Sequence, residues 1–320
     1  MTFYDFCEFH SPGQCFRVVV CLSVVVSVIF LLSGAWHEAI APIEFECDLD
    51  KSPPVHVLPA DKLFSAAHCN VTFVTAYFDI PSKHDHSEYV KWISNQRNMC
   101  LVVFTDSPAL WKVPGQIVFE TSLCEEGRAL NMSSSFWRDQ WFLDPEAVTH
   151  RGPQLYITWN LKPYFMSQAA RINPFSSEYF FWIDAGYTRS VKLGDARSLN
   201  PSLEKDAMYF LLLGQFSRQE MLGGFHYTVG KEGVGGGMFG GHISFVDKWV
   251  ALYYRVFHEY VKRGWFVGKD QNLLNSLCSE NPGVCMYFSL LDEGQGDVWF
   301  SMWDCLLHQQ RCSVHRFYKY

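Results

Sequence analysis

The spacing of apolar residues changes along the chain, and each change predicts an element. "VTFVTAYFDI" (71–80) is an almost continuous β-branched and aromatic run. It predicts a buried strand ending near Asp79 and Pro81. "HSEYVKWISNQ" (86–96) then places Tyr89, Trp92 and Ile93 at helical spacing. "CLVVFTD" (100–106) predicts a second buried strand ending in an acid, and "GQIVFE" (115–120) a third. "QLYITWNLKPYFMSQAARI" (154–172) is helical in pattern, with Pro163 expected to start or interrupt a helix. "YFFWI" (179–183) is a further strand. The clearest helix is "FVDKWVALYYRVFHEYVKRGW" (245–265), where Trp249, Leu252, Tyr253, Val256, Phe257, Tyr260 and Val261 form one apolar face. Strands alternating with helices predict an α/β domain with an open, mostly parallel sheet.

The N-terminal pattern is different. "VVVCLSVVVSVIFLLSGAW" (18–36) carries no charge and is about long enough to cross a bilayer. Arg17 precedes it, which favours a cytosolic N-terminus. A cleaved signal peptide is the alternative, since Ser33, Gly34 and Ala35 are small residues suited to a cleavage site. The expected organisation is a cytosolic tail (1–17), a transmembrane signal anchor (18–36), a stem (37–70) and a lumenal domain (71–320). This makes a type II protein of the Golgi or endoplasmic reticulum membrane, or a secreted one if the segment is cleaved.

Composition agrees with that compartment. The chain has 320 residues, 48% of them hydrophobic, enough for a substantial core. A formal charge of −7 gives no basic footprint for nucleic acid. Beyond the apolar run lie Cys47, Cys69, Cys100, Cys124, Cys278, Cys285, Cys305 and Cys312, an even set suited to disulfides in an oxidising compartment. Cys278 and Cys285 bracket the turn-rich "SENPGV" and form a natural local bridge; the other pairings stay open. Asn70 ("NVT") and Asn131 ("NMS") are glycosylation acceptors, whereas Pro201 disqualifies Asn200.

Candidate chemistry gathers at strand ends. Asp184 follows "YFFWI" where a strand emerges into the crevice that binds ligands in open α/β sheets. Ala185 and Gly186 let a ligand approach the backbone closely, and a carboxylate there can hold a divalent cation. The bland reading is an aspartate that closes a turn. "GGGMFGGHISF" (235–245) lacks Walker spacing and reads as backbone packed against a ligand or strand, with Phe239 as a wall and Gly240 and Gly241 beside an acceptor. Asp270 in "GKDQNLLNSL" can cap a helix and, with Gln271, face sugar hydroxyls. Lys162 and Arg189 are candidate cations for donor phosphates. The aromatic, basic tail "HQQRCSVHRFYKY" either covers the crevice or packs on the domain. No GxSxG elbow is present to support serine hydrolase chemistry.

The blocks "VTFVTAYFDI", "LVVFTD", "TWNLKPYFMSQAARINPFSSEYFFWIDAGYTR", "GGGMFGG" and "VGKDQNLLN" resemble, in that order, the HtrL/YibB-like proteins. That family is similar to GT-A glycosyltransferases, with a single Rossmann-like nucleotide-binding domain. The resemblance implies that Thr75, Ala76 and Tyr77 line the nucleotide site with Asp106 nearby. It also implies that Asp184 takes the place of the first acid of a metal motif whose second acid is here Gly186. A Mn2+ or Mg2+ ion would then rest on Asp184, donor phosphates, water and a histidine such as His242. The implied activity moves a sugar from a nucleotide donor to a glycan or glycoprotein hydroxyl, with Asp184 catalytic at the donor. An inverting enzyme also needs a carboxylate base on the acceptor, for which Asp270 is the candidate, whereas in a retaining one Asp270 only orients the acceptor. The competing class is a non-catalytic lumenal glycan-binding protein on the same fold.

Overall fold

Continuous apolar runs become the strands of one sheet because both of its faces are covered. The computed structural model describes residues 47, 51–57, 68–81, 87–113, 115–187, 196, 199, 201–214, 233–291, 298–307 and 311–316. Among them eight strands form the sheet: β1 (Val71–Tyr77), β2 (Leu101–Thr105), β3 (Gln116–Glu120), β4 (Tyr179–Ile183), β5 (Met208–Leu212), β6 (Val234–His242), β7 (Cys285–Leu290) and β8 (Cys312–His315). Their spatial order is β3-β2-β1-β4-β6-β5-β7-β8. The first four run parallel; β6 is antiparallel to both β4 and β5, and β8 to β7. The chain steps outward from β1 to β3, then returns to the other side of β1 with β4. The carboxyl ends of β1 and β4 therefore flank a topological switch point, where ligands bind in such sheets.

The helices are α1 (Ser87–Ser94), α2 (Leu123–Gly127), α3 (Ser134–Leu143), α4 (Gln154–Ile172), α5 (Ile243–Lys262), α6 (Asp270–Glu280) and α7 (Met302–Leu307). Alternate residues of each strand serve different layers. Phe73 packs on Trp303 of α7 with ring centroids 5.2 Å apart. On the opposite face Trp182 stacks on Phe165 of α4 at 6.3 Å, and Phe239 packs on Trp249 of α5 at 5.3 Å. Fully burying such a side chain stabilises the fold by roughly 1.5–3 kcal/mol.

Two expectations change. Pro163 neither starts nor breaks its helix, for α4 runs through it. Proline removes the N–H that would reach Trp159 O, and the neighbouring carbonyl, Asn160 O, accepts a hydrogen bond from Tyr254 Oη at 3.0 Å. The glycines of 235–241 lie in strand β6, where the expected close packing of backbone is against a strand. A Cβ on Gly240 would lie 2.2 Å from Phe180 O, so only glycine lets β6 pack so closely on β4. Part of the expected stem is tied down: Cys47 is bridged to Cys124, and His56 Nε2 lies 2.6 Å from buried Glu126 Oε1. The described part of the tail, 311–316, packs on the domain through edge strand β8. The apolar run 18–36 lies outside the described residues, among which no helix is long and apolar enough to cross a membrane.

All eight cysteines beyond that run are bridged: Cys47–Cys124, Cys69–Cys100, Cys278–Cys285 and Cys305–Cys312. Cys69–Cys100 fastens the chain just before β1 to the residue just before β2. Asn131 is exposed, in a left-handed conformation that ends a 3-10 turn, whereas Asn70 is half-buried beside β1.

Candidate functional site

Two cavities meet at the switch point. The smaller, about 120 Å³, lies between the end of β1 and helix α4, with Ala76, Tyr77, Phe78 and Leu155 in its wall. The larger, about 300 Å³, opens toward the start of α6, with His150, Gly236, Gly237, Lys269, Asp270 and Trp299 around it. Trp159, Lys162, Asp184 and Gly186 line both. Helix α4 supplies the first two because Trp159 and Lys162 sit three residues apart, on one helical face. Strand β4 delivers Asp184 and Gly186 as it leaves the sheet.

The centre is a buried ammonium. Lys162 Nζ lies 2.9 Å from Asp184 Oδ1, 2.8 Å from Asp270 Oδ2 and 3.0 Å from Gly236 O. The contact to Asp270 is an ion pair more than a well-aligned hydrogen bond. One of its N–H bonds goes to Gly236 O, and the two carboxylate oxygens neutralise its charge as ion pairs. Burial works against the charge of Lys162, yet Asp184 and Asp270 outweigh it and hold its pKa above the ordinary lysine value. Burial pushes the Asp270 carboxyl up, and Asp184 adds to that, against the opposing pull of Lys162 and the Gln271 N–H. Gly236 permits the arrangement: a Cβ there would stand 3.1 Å from Asp270 Oδ2.

Asp184 is held from two further sides. Trp182 Nε1 donates to Oδ1 at 2.6 Å, and the Asp184 N–H donates to Gly237 O at 2.8 Å. Its side chain is 38% exposed, and Oδ2 accepts no hydrogen bond among the described residues. With both carboxylates ionised the two acids and one ammonium sum to −1, and Asp184 borders both cavities. A divalent cation fits that residue set, because such ions bind through one or two carboxylates completed by substrate phosphates and water. Among the described residues no cluster of three or more acids, histidines or cysteines supplies a cage.

The other expected site residues divide. Ala76, Tyr77, Gly186 and Gln271 line cavities. Thr75 is fully buried within the sheet. Asp106 is occupied elsewhere, its carboxylate accepting from Asp79 N at 3.1 Å and Ser107 Oγ at 3.0 Å. Lys162 is at the centre, but as a buried counter-ion to Asp184 and Asp270 rather than a phosphate donor. Phe239, Gly240 and Gly241 are core, and the same strand contributes Gly236 and Gly237 to the cavity in their stead. His242 pairs in register with Tyr179 at the opposite end of β4, roughly 16 Å along the strand from Asp184. It caps α5 through Ser244 and cannot share an ion with Asp184. Asp270 is the first residue of α6 rather than its cap; Lys269 holds the cap position without a side-chain bond. Arg189 lies outside the described residues.

His150, Trp159, Lys269 and Trp299 had no motif to announce them. The only available signal was the tryptophan at helical spacing before Lys162.

No curated protein matches the chain. A family model does match residues 142–307, a window that holds Lys162, Asp184, Gly236 and Asp270 but leaves β1 to β3 outside. The chain belongs to that family, described as "Bacterial protein of unknown function (HtrL_YibB)".

Proposed function

We propose that this chain is a glycosyltransferase with a GT-A-like domain, moving a sugar from a nucleotide donor to a glycan or glycoprotein hydroxyl. The observation that carries the reading is the pair of cavities joined at Asp184 on the β1/β4 switch point. A transferase needs two adjoining substrate sites sharing one reacting centre. The smaller cavity, with Tyr77, Phe78 and Trp159 in its wall, suits a nucleoside; the larger, polar and aromatic, suits sugar and acceptor.

In this reading Asp184 faces the donor diphosphate. A Mn2+ or Mg2+ ion on its free oxygen would neutralise charge on the departing diphosphate. Lys162 fixes both aspartates and prevents their mutual repulsion. Asp270 and Gln271 orient the acceptor, Gln271 being held by its bond to Val234 O at 2.9 Å. Trp159 and Trp299 offer aromatic surface to sugar rings.

A lumenal location in the Golgi or endoplasmic reticulum draws support from the four disulfides, which persist in oxidising compartments. It draws further support from exposed Asn131 and from the apolar run 18–36 as membrane anchor.

The test is hydrolysis and transfer across a panel of uridine- and guanosine-linked sugars, with and without manganese, for the wild type and Asp184→Asn. Donor turnover lost in the variant supports the transferase. Glycan binding without nucleotide affinity favours the non-catalytic alternative, which Gly186 in place of a second acid makes the reading to beat.

A further inference from the structure

A second charged cluster stands on the wall of the larger cavity, in the loop between α3 and α4. Asp144, its side chain fully buried, lies 2.6 Å from His150 Nδ1 through Oδ2. The same oxygen accepts from Tyr156 Oη at 2.7 Å, and Oδ1 accepts from Glu146 N at 2.9 Å. Lys269 Nζ lies 3.7 Å from Asp144 Oδ1 and also pairs with Glu146. Burial opposes ionisation of Asp144, but His150, the Glu146 N–H, Tyr156 and Lys269 outweigh it and hold its carboxyl below the ordinary value. Asp144 is therefore an anion, and an anion at Nδ1 requires the proton on that nitrogen.

In the neutral ring Nε2 of His150 then carries the lone pair. It has no hydrogen-bond partner among the described residues, and the ring lines the larger cavity. Trp159, edge-on at 5.1 Å, fixes its plane and itself borders both cavities. Adjacent residues connect the two clusters: Lys269 reaches Asp144, while Asp270 reaches Lys162. The competing base, Asp270, accepts from Gln271 N at 2.8 Å through Oδ1, and its Oδ2, without a hydrogen bond, is held in an ion pair with Lys162.

The geometry points to His150 as the general base for the acceptor hydroxyl, with Asp144 as its positioning residue. This inference rests on the transferase reading. The acceptor O–H gives its proton to Nε2 as its oxygen bonds the anomeric carbon. The bond from that carbon to the phosphate oxygen breaks, and its electron pair leaves on the diphosphate. Imidazolium forms against the Asp144 carboxylate. The charged groups facing His150 are Asp144, Glu146 and Lys269 beside it, with Tyr156 as a phenol; Lys162, Asp184 and Asp270 lie across the same cavity.

The experiment compares wild type, His150→Gln and Asp144→Asn for binding of uridine and guanosine diphosphate, melting temperature and kcat of transfer against pH. His150→Gln is expected to melt and bind nucleotide as wild type does, and to lose about 10²- to 10⁴-fold in kcat. The rising limb of rate with pH that a histidine base produces should be present in the wild type and absent in this variant. Asp144→Asn should lower kcat with little change in KM. Modification of the wild type by diethyl pyrocarbonate, mapped to His150, should abolish transfer whether or not either variant folds. Transfer that survives complete modification, or a His150→Gln rate equal to wild type at every pH, overturns the base while leaving the transferase standing. A wild type that neither binds these nucleotides nor turns over their sugars overturns both.

Discussion

Lys162 and Asp184 meet at 2.9 Å between Nζ and Oδ1, one delivered by the middle of α4 and the other by the end of β4. The contact joins a helix to the strand it covers at the place where the sheet's connectivity reverses. Only 3% of the lysine side chain is exposed, against 38% of the aspartate's. The pair thus has a dry end that holds structure and a wet end that meets ligand.

Lys162→Met tests the dry end. Removing the ammonium leaves Asp270 buried without its partner and closer in effect to the like charge of Asp184. Breaking a buried ion pair from one side costs about 3–5 kcal/mol. Chemical denaturation should show that loss, and Lys162→Met/Asp270→Asn should recover part of it because one unpaired charge is gone. Equal stability of the wild type and the single variant would mean that the ammonium holds nothing together.

Asp184→Asn tests the wet end. The amide keeps the volume and still offers an oxygen to Trp182 Nε1, but it removes the charge from the free position. Loss of one well-placed electrostatic contact lowers the rate on the order of a hundredfold or more. Melting temperature should fall, though less than for Lys162→Met, because the buried Lys162 ammonium loses one of its two counter-charges while Asp270 remains. A folded variant with wild-type turnover would reduce Asp184 to a turn residue.

Several of these positions were legible in the chain and others were not. "YFFWI" followed by Asp184 announces a doubly covered strand ending in a crevice, because a run apolar on both faces has few other uses. Lys162 was visible as a cation, but its role as a buried counter-ion depends on Gly236 and Asp270, which only the folded sheet brings to it. "GGGMFGG" was ambiguous for the same reason: Gly236 and Gly237 face the cavity, while Gly240 serves strand packing. The strands Met208–Leu212 and Cys285–Leu290 were missed, since short apolar runs fit a helix as well as a strand. His150, in "EAVTHRGPQ", has no local pattern; a long-range approach of α4 and α6 gives it meaning.

Chelation addresses the cation directly. Dialysis against EDTA should abolish transfer, and added manganese or magnesium should restore it, with Asp184→Asn unresponsive to either ion. Isothermal titration of uridine diphosphate should show the same dependence. Full activity after chelation would leave the phosphate charge to side chains alone.

Acid stability should report Asp144. Its carboxyl is held below the ordinary aspartate value of 3.8 in the folded chain. The folded state therefore binds fewer protons than the unfolded state, and the stabilisation is fully present above that value. It is lost as pH falls through 3.8 toward the lower folded value. Glu146 and Glu125 are shifted in the same direction, but at more exposed positions where solvent weakens the effect. Denaturation midpoints of the wild type should fall steeply over this acid range, and Asp144→Asn should flatten the fall while lowering the plateau at neutral pH. Parallel curves for the two proteins would exclude Asp144 as a source of acid lability.

Asp270 distinguishes a helix-start residue from a part of the site. It is the first residue of α6, and its Oδ1 accepts from the adjacent Gln271 N–H, while Oδ2 faces Lys162. An asparagine can meet only one of these demands with its single oxygen, so its amide N–H₂ must face either the ammonium or the backbone N–H. Loss of a buried, charge-assisted contact of this kind costs about 1.5–3 kcal/mol, and Asp270→Asn should melt correspondingly below the wild type. Nucleotide affinity should persist, because the smaller cavity does not include this residue. Transfer should fall, since Lys162 is freed to move and the acceptor loses a carboxylate from the larger cavity. If Asp270 only starts the helix, asparagine serves equally well there, and the variant should melt and transfer sugar like the wild type. Calorimetry, nucleotide titration and transfer assays on the one variant separate these outcomes, and undiminished transfer with lowered stability would confine Asp270 to holding Lys162.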